Sequence, residues 1–121
     1  MKKDESKIQQ EIVIWFNNNY CLKNSDPQCV IFSVPNEGKN AREQMYKKAL
    51  GMKSGVSDLI VIIPNKILFI ECKDEKGKQR ETQIEFENSV KKLGFEYHLV
   101  RTLAEFQSII DSEIEKFKEY L

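Results

Sequence analysis

The middle of the chain carries a small set of side chains that could do chemistry, namely Asp58, Glu71 and Lys73. They flank two apolar runs, residues 59–63 and 67–70, that are rich in the branched and aromatic residues typical of strands. Pro64-Asn65 between the runs favours a tight turn, so the segment predicts a β-hairpin. Strands this apolar are expected at the centre of a sheet, buried on both faces. Charges there are unfavourable unless they are paired or bind a metal.

The position and length of the turn decide which of these side chains face each other. A two-residue loop at 64–65 places Asp58 opposite Glu71, whereas a loop at 65–66 places it opposite Lys73. Because side chains alternate along a strand, all three share one face in either register. A three-residue loop would move Asp58 to the other face unless a bulge intervened. Two opposed carboxylates, with Cβ atoms about 5 Å apart, repel each other, and a divalent cation between them would remove the conflict.

At these residues the chain resembles the nucleases of the PD-(D/E)XK superfamily, and in particular the small VRR-NUC branch. Ser57-Asp58 stands where the family has Pro-Asp, and Glu71-Cys72-Lys73 stands as its Glu-X-Lys motif. Serine replaces a proline that has no side-chain chemistry, so this departure affects the turn into the strand rather than catalysis.

Further similarities lie on both sides of this motif, over about residues 8 to 110. Gln83 resembles the glutamine that opens the following helix, and Glu11 resembles the acidic residue of the first helix. The loop from Asn36 to Arg42 resembles the family's Asn-Gly loop. Gly94, with the strand that ends in His98-Leu99-Val100-Arg101, resembles the closing strand of the family.

The resemblance implies an α/β fold with a restriction-endonuclease-like core, in which helices flank a mixed central sheet. It also implies a metal-dependent endonuclease that uses Mg²⁺ or Mn²⁺. Asp58 and Glu71 are the expected metal ligands, and the backbone carbonyl of Cys72 would complete the protein ligands. Lys73 would orient or deprotonate the attacking water, or stabilise negative charge in the transition state.

Two more residues are expected at this site. Gln83 would hold the water or a phosphate through its amide. Glu11 falls three residues after Ile8 and four before Trp15, which predicts a position on the apolar stripe of the first helix. From there it would reach the metal through a water or bind a second ion.

Periodicity and capping signals predict the order helix, strand, short helix, hairpin, helix, strand, helix. A hairpin followed by a crossover helix and a further strand indicates a mixed sheet. Outside the hairpin, helices are expected at about residues 4–20 and 41–50, and strands at about 29–34 and 95–100. A further helix is expected to end at Leu93, and the last helix to run from Thr102 to near Leu121.

Length and composition predict a single domain over residues 1–121, with 40% hydrophobic and 31% charged residues. No apolar stretch reaches a membrane span and the N-terminus lacks a signal-peptide pattern, so we expect no membrane partner and a cytoplasmic location, in a prokaryote or a phage-infected cell. Three cysteines and one histidine without Cys-X-X-Cys spacing indicate free thiols rather than a zinc site.

The formal net charge is zero, so DNA binding requires a local basic patch. The best candidate lies between the first strand and the hairpin, where Lys39, Arg42 and Lys53 would contact phosphates and Asn36 would hold the loop near the scissile phosphate. Lys47 and Lys48 belong to the same stretch, and Lys76, Lys78 and Arg80 would extend it.

Small free-standing members of the family resemble Holliday-junction resolvases that act as dimers, which implies a branched DNA substrate and a homodimer. One alternative is a less specific nicking nuclease. Another is a non-catalytic DNA-binding or scaffolding domain that retains the fold. The intact Asp, Glu, Lys and Gln set favours an enzyme over the non-catalytic alternative.

Overall fold

Within residues 3–35 and 39–119, which the computed structural model describes, four strands form one mixed sheet. The elements in chain order are α1 Lys3–Tyr20, β1 Val30–Ser33, α2 Ala41–Ala49, β2 Leu59–Ile63, β3 Lys66–Cys72, α3 Glu81–Lys92, β4 Glu96–Val100 and α4 Leu103–Lys118. Strands β1, β2 and β3 are antiparallel neighbours, and β4 lies parallel to β3. The predicted mixed sheet with flanking helices is confirmed.

The hairpin adopts the first of the predicted loops, at residues 64–65. Ile63 pairs with Lys66 and Leu59 pairs with Ile70, so only residues 64–65 form the turn. Asn65 has φ 61°, a left-handed conformation that asparagine tolerates better than most residues. Continuing the register by one residue places Asp58 opposite Glu71, as the two-residue loop predicts.

One face of the sheet forms the hydrophobic core against α1 and α4. Leu68, Ile70 and Cys72 point to this face and are buried. They belong to one cluster with Phe16 of α1 and Phe106 of α4. Cys72 is therefore a core residue, as its place in the alternation predicts. None of the helices in the described part of the chain is long and apolar enough to span a membrane.

The opposite face is covered only in part. Helix α3 lies over β3 and β4, where Phe86 contacts Phe69 and Tyr97 with ring centroids 5.5 and 6.2 Å apart. Over β1 and β2, by contrast, Phe32 and Ile62 are exposed. Helix α2 has no buried residue and does not cover them. The prediction that the hairpin strands are buried on both faces is therefore wrong for this half of the sheet.

Candidate active site

A cavity of about 1000 Å³ opens at the end of the sheet where β1 and β3 finish and β2 begins. Its wall includes Asp58, Glu71, Cys72, Lys73 and Gln83. The first half of α1 and the loop after β3 complete the wall. The fold thus brings these five predicted site residues together, although the first and last, Asp58 and Gln83, are 25 positions apart in the sequence.

The half-buried Asp58 and the buried Glu71 form a carboxylate pair. Asp58 Oδ2 accepts a hydrogen bond from the backbone N–H of Cys72 at 2.8 Å, which fixes its side chain across the hairpin. Glu71 is only 1% exposed. Burial, followed by the hydrogen bond to Asp58 and its charge, raises the pKa of Glu71 to about 9, while Tyr97 and Lys73 act in the opposite direction. Without a cation, a proton on Glu71 would relieve the repulsion between the two carboxylates.

The donor set suits a hard divalent cation. Mg²⁺ prefers oxygen ligands, takes one or two carboxylates and retains several waters. The backbone N–H of Lys73 donates a hydrogen bond to the carbonyl oxygen of Val100 in β4 at 3.0 Å. Because the N–H and C=O of a trans peptide group point in opposite directions, the Cys72 carbonyl points away from β4, toward Asp58. This carbonyl is therefore directed to serve as a third protein oxygen ligand. No three His, Cys, Asp or Glu side chains gather as a metal site within the described ranges. A bound ion would therefore complete its shell with water or phosphate oxygen.

Lys73 forms an ion pair with Glu5 of α1, whose Oε1 lies 3.5 Å from its Nζ. Both residues are buried, and both line the cavity. Lys73 is the first residue after β3, two positions past Glu71. Glu5 thus tethers the lysine from the helix side and keeps its ammonium group at the cavity wall.

Glu11, the expected acidic residue of α1, does not reach the site. Its side chain is exposed and does not contribute to the cavity wall. The fully buried residues of α1 are Ile12 and Phe16, and Glu5 lies seven residues before Ile12, on the same side of the helix. Glu11 precedes Ile12 by one residue and so points about 100° away. The predicted position of Glu11 on the buried stripe is wrong, and Glu5 is the acidic residue of α1 that lines the cavity.

Gln83 occupies the third position of α3 and is almost fully buried. Its Oε1 accepts a hydrogen bond from the backbone N–H of Arg80 at 2.8 Å, which caps the helix. Because the oxygen is committed to the cap, the amide NH₂ is the part of the side chain that can donate into the cavity. This orientation suits an anionic oxygen or a water.

Gly55 sets the distance between this helix and the hairpin. Its φ of 82° lies in the left-handed region, and its backbone touches the backbone of Thr82 and Gln83. Only residues 56 and 57 separate Gly55 from Asp58. The approach therefore holds the start of α3, with Gln83, against the segment that carries Asp58.

Arg101 holds the loop after β3 from the end of β4. Its Nη1 donates to the carbonyl oxygens of Asp74 and Gly77, at 2.6 and 2.8 Å. Lys78 and Arg80, which follow in this loop, line the cavity. Arg101 was predicted only as part of the closing strand. Its contacts give that strand a role in presenting two cations to the site.

The predicted basic patch lies apart from the cavity. Lys39, Arg42 and Lys53 are exposed and do not line it, so their role in DNA binding stays a prediction. Lys47 pairs with Glu43 at 2.9 Å. Asn36 lies outside the described residues.

Comparison with known families agrees with this arrangement. A family model described as the VRR-NUC domain matches residues 3–103. The chain belongs to the VRR-NUC domain family. The VRR-NUC domain is a nuclease-type domain, so the cavity with its carboxylate pair, lysine and cationic loop is the candidate nuclease site. A search of curated proteins found no match.

Two solved structures show the same fold. One, a "VRR_NUC domain protein", superposes with a TM-score of 0.74 at 23% identity, covering 95% of this chain and 91% of its own. The other, a "VRR_NUC domain", has a TM-score of 0.63 at 22% identity, with coverage of 91% and 97%. The α/β architecture described above is thus the fold of these VRR-NUC structures.

Proposed function

We propose that this VRR-NUC domain is a Mg²⁺- or Mn²⁺-dependent DNA endonuclease whose ion is held by Asp58, Glu71 and the carbonyl of Cys72. The observation that carries the proposal is the pair of carboxylates on the cavity wall, of which Glu71 is buried, beside a lysine. The nearby cation, Lys73, is shared with Glu5 of α1. A divalent ion would balance both carboxylates at once.

The ion, when bound, would lower the pKa of a water nucleophile and stabilise the leaving oxygen. Asp58 and Glu71 would bind it, and Asp58 would stay in place through its bond from Cys72. Lys73 would orient the water or stabilise charge on the phosphorus oxygens. The Gln83 amide would donate to a phosphate oxygen, and Lys78 and Arg80 would hold the strand at the cavity mouth.

We further propose that the substrate is branched DNA and that the enzyme acts as a homodimer. The support is the family resemblance, since small members of the family resemble Holliday-junction resolvases that act as dimers. Two such sites related by a two-fold axis suit a four-way junction. Sedimentation at micromolar concentration tests the dimer, and a monomer that cuts linear duplex and junctions equally would contradict both parts.

Plasmid nicking in Mg²⁺, Mn²⁺ and EDTA tests the activity, followed by cleavage of labelled single strands, duplexes, flaps and four-way junctions. We expect metal-dependent cleavage that falls by at least about 100-fold in Asp58→Asn, Glu71→Gln and Lys73→Ala. DNA binding in Ca²⁺ should largely survive, because phosphate contacts are spread over other residues. A matched control is Asp111→Asn, an exposed change on α4 that should leave cleavage unchanged.

The three active-site variants also separate the alternatives. Cleavage by all three at the wild-type rate would place the active site elsewhere. A wild type that binds DNA but never cuts it, in any of these metals, would support the non-catalytic scaffold instead. A wild type that nicks plasmid without preference among the four DNA structures would support the less specific nuclease.

A further inference from the structure

A chain of hydrogen bonds leads from the buried Glu71 carboxylate away from the cavity. Tyr97 Oη donates to Glu71 Oε2 at 3.1 Å, and Gln79 Nε2 donates to Tyr97 Oη at 3.2 Å. The same Gln79 nitrogen donates to Glu87 of α3 at 3.0 Å, and Lys91 binds Glu87 one turn later. Tyr97 and Gln79 do not line the cavity. Their link to the site is the hydrogen bond from Tyr97 to Glu71 Oε2.

The direction of these bonds is fixed by the chemistry of the donors. An amide nitrogen only donates, so Gln79 occupies a lone pair of the Tyr97 oxygen and leaves the phenolic hydrogen for Glu71. The tyrosine ring is 6% exposed and contacts Phe86 of α3, so the hydroxyl cannot swing away. One oxygen of Glu71 is thereby held at a fixed point, while the lone pairs that face the cavity stay open.

We propose that Tyr97 is a positioning residue that holds the Glu71 carboxylate in the orientation needed to bind the divalent ion, and that Gln79 acts through Tyr97. The inference rests on the proposed metal site. Its physical basis is that a ligating carboxylate binds an ion more tightly when it is already oriented, because less freedom is lost on binding. Changing such outer partners typically reduces metal affinity or activity by 10- to 100-fold.

The test is Mn²⁺ binding to the DNA-free protein, followed by calorimetry, with the melting temperature in EDTA as a measure of folding. Tyr97→Phe retains the ring that contacts Phe86 and removes only the hydroxyl. We expect it to bind Mn²⁺ about 10- to 100-fold more weakly than wild type, and to need correspondingly more Mn²⁺ for half-maximal cleavage. The matched control is Tyr46→Phe, because Tyr46 lies exposed on α2 and its hydroxyl should not matter.

Gln79→Leu tests the second half of the proposal. It removes the donor that orients the Tyr97 hydroxyl, so Mn²⁺ binding should weaken, by less than in Tyr97→Phe. If Gln79 acts through Tyr97, the double variant should bind Mn²⁺ no more weakly than Tyr97→Phe alone. A purely structural role would lower the melting temperature in EDTA and leave the Mn²⁺ affinity of the folded protein unchanged.

The outcomes are distinguishable from those of the proposed function. A wild type that binds Mn²⁺, with a Tyr97→Phe variant of equal affinity, overturns this inference and leaves the metal site standing. Should Tyr97→Phe fail to fold, wild-type Mn²⁺ affinity in folded Gln79→Leu overturns it. A wild type whose Mn²⁺ binding is absent, or is unaffected by Asp58→Asn, contradicts the proposed metal site and this inference with it.

Discussion

The backbone of Gly55 passes so close to Thr82 that a methyl group on Gly55 would lie 2.2 Å from the Thr82 carbonyl oxygen. The clash is with backbone, which has no flexible side chain to move aside. Glycine is therefore required here for two separate reasons, its left-handed φ of 82° and the space it leaves. This contact joins the segment before β2 to the first turn of α3, and so joins Asp58 to Gln83.

Gly55→Ala should therefore lower the free energy of unfolding by roughly 3 kcal/mol, from backbone strain together with overpacking. Gly51→Ala is the matched control. Gly51 also has a positive φ, 107°, but nothing lies within 4 Å of the added methyl group. It should lose only about 1 kcal/mol, from strain alone. Urea denaturation of both variants measures the difference, and equal losses would show that the approach to Thr82 is not tight.

Glu5→Gln and Glu11→Gln decide which acid of α1 serves the site. Glu5 pairs with Lys73 inside the cavity, so Glu5→Gln should reduce cleavage by about 10- to 100-fold, because the lysine loses the carboxylate that positions it. Glu11→Gln, an identical change on the exposed side of the same helix, should cleave like wild type. Single-turnover cleavage of the best DNA substrate measures both. Loss of activity in Glu11→Gln alone would show that Glu11, and not Glu5, is the acid of α1 that serves the site.

The raised pKa of Glu71 predicts an unusual dependence of stability on pH in EDTA. Native Glu71 keeps its proton up to a pKa of about 9, whereas the unfolded chain loses it near 4.5. The native state therefore binds more protons in this window. The contribution to stability is fully present below 4.5 and is lost as the pH rises toward 9, by up to about 1.4 kcal/mol per pH unit. Urea denaturation from pH 5 to pH 9 should show this fall.

Glu71→Gln should flatten the profile, since glutamine keeps the shape and cannot ionise. The exposed change Glu85→Gln on α3 should keep the slope of the wild type. A wild-type stability that rises over this range would mean that Glu71 is ionised in the metal-free protein. A proton on Glu71 would then not be what relieves the repulsion between the two carboxylates.

Salt dependence of DNA binding distinguishes the cations of the cavity from those of the outlying patch. Replacing both Lys78 and Arg80 by alanine should reduce the slope of log K against log salt by about two units, one for each lost phosphate contact. Charge reversal at Lys39, Arg42 and Lys53 tests the patch in the same way. If the slope changes only in the patch variant, the DNA contacts the patch and not the loop that Arg101 holds.

The hairpin and its chemistry could be predicted from local sequence. Apolar runs of strand length, a Pro-Asn turn and the alternation of side chains predict Glu71 or Lys73 opposite Asp58 for a two-residue loop, and the register of the hairpin places Glu71 there. Helix ends were also predictable where a glycine with positive φ follows, as at Gly51 and Gly94. These features depend on contacts between residues close in sequence.

Features that depend on packing between distant elements were not predictable. A stripe that includes Trp15 predicts that Glu11 faces the site. Tertiary packing instead centres the buried side of α1 on Ile12 and Phe16, which turns Glu5 inward. A spacing of seven residues between Glu5 and Ile12 was the available signal. Tyr97 gave no signal of its own, because its role arises only when β4 pairs beside β3. The exposed half of the sheet was missed because residue composition does not reveal that α2 leaves it uncovered.

The two-residue turn at the far end of the hairpin is one end of a register that constrains where the carboxylates lie. The turn sits five residue pairs, about 17 Å of strand, from the carboxylates, and the pairing that it closes places Asp58 opposite Glu71. A slip of that pairing by one residue would send one carboxylate to the core face while leaving every motif residue intact. The register of the hairpin is therefore as much a part of the active-site signature as the acids themselves.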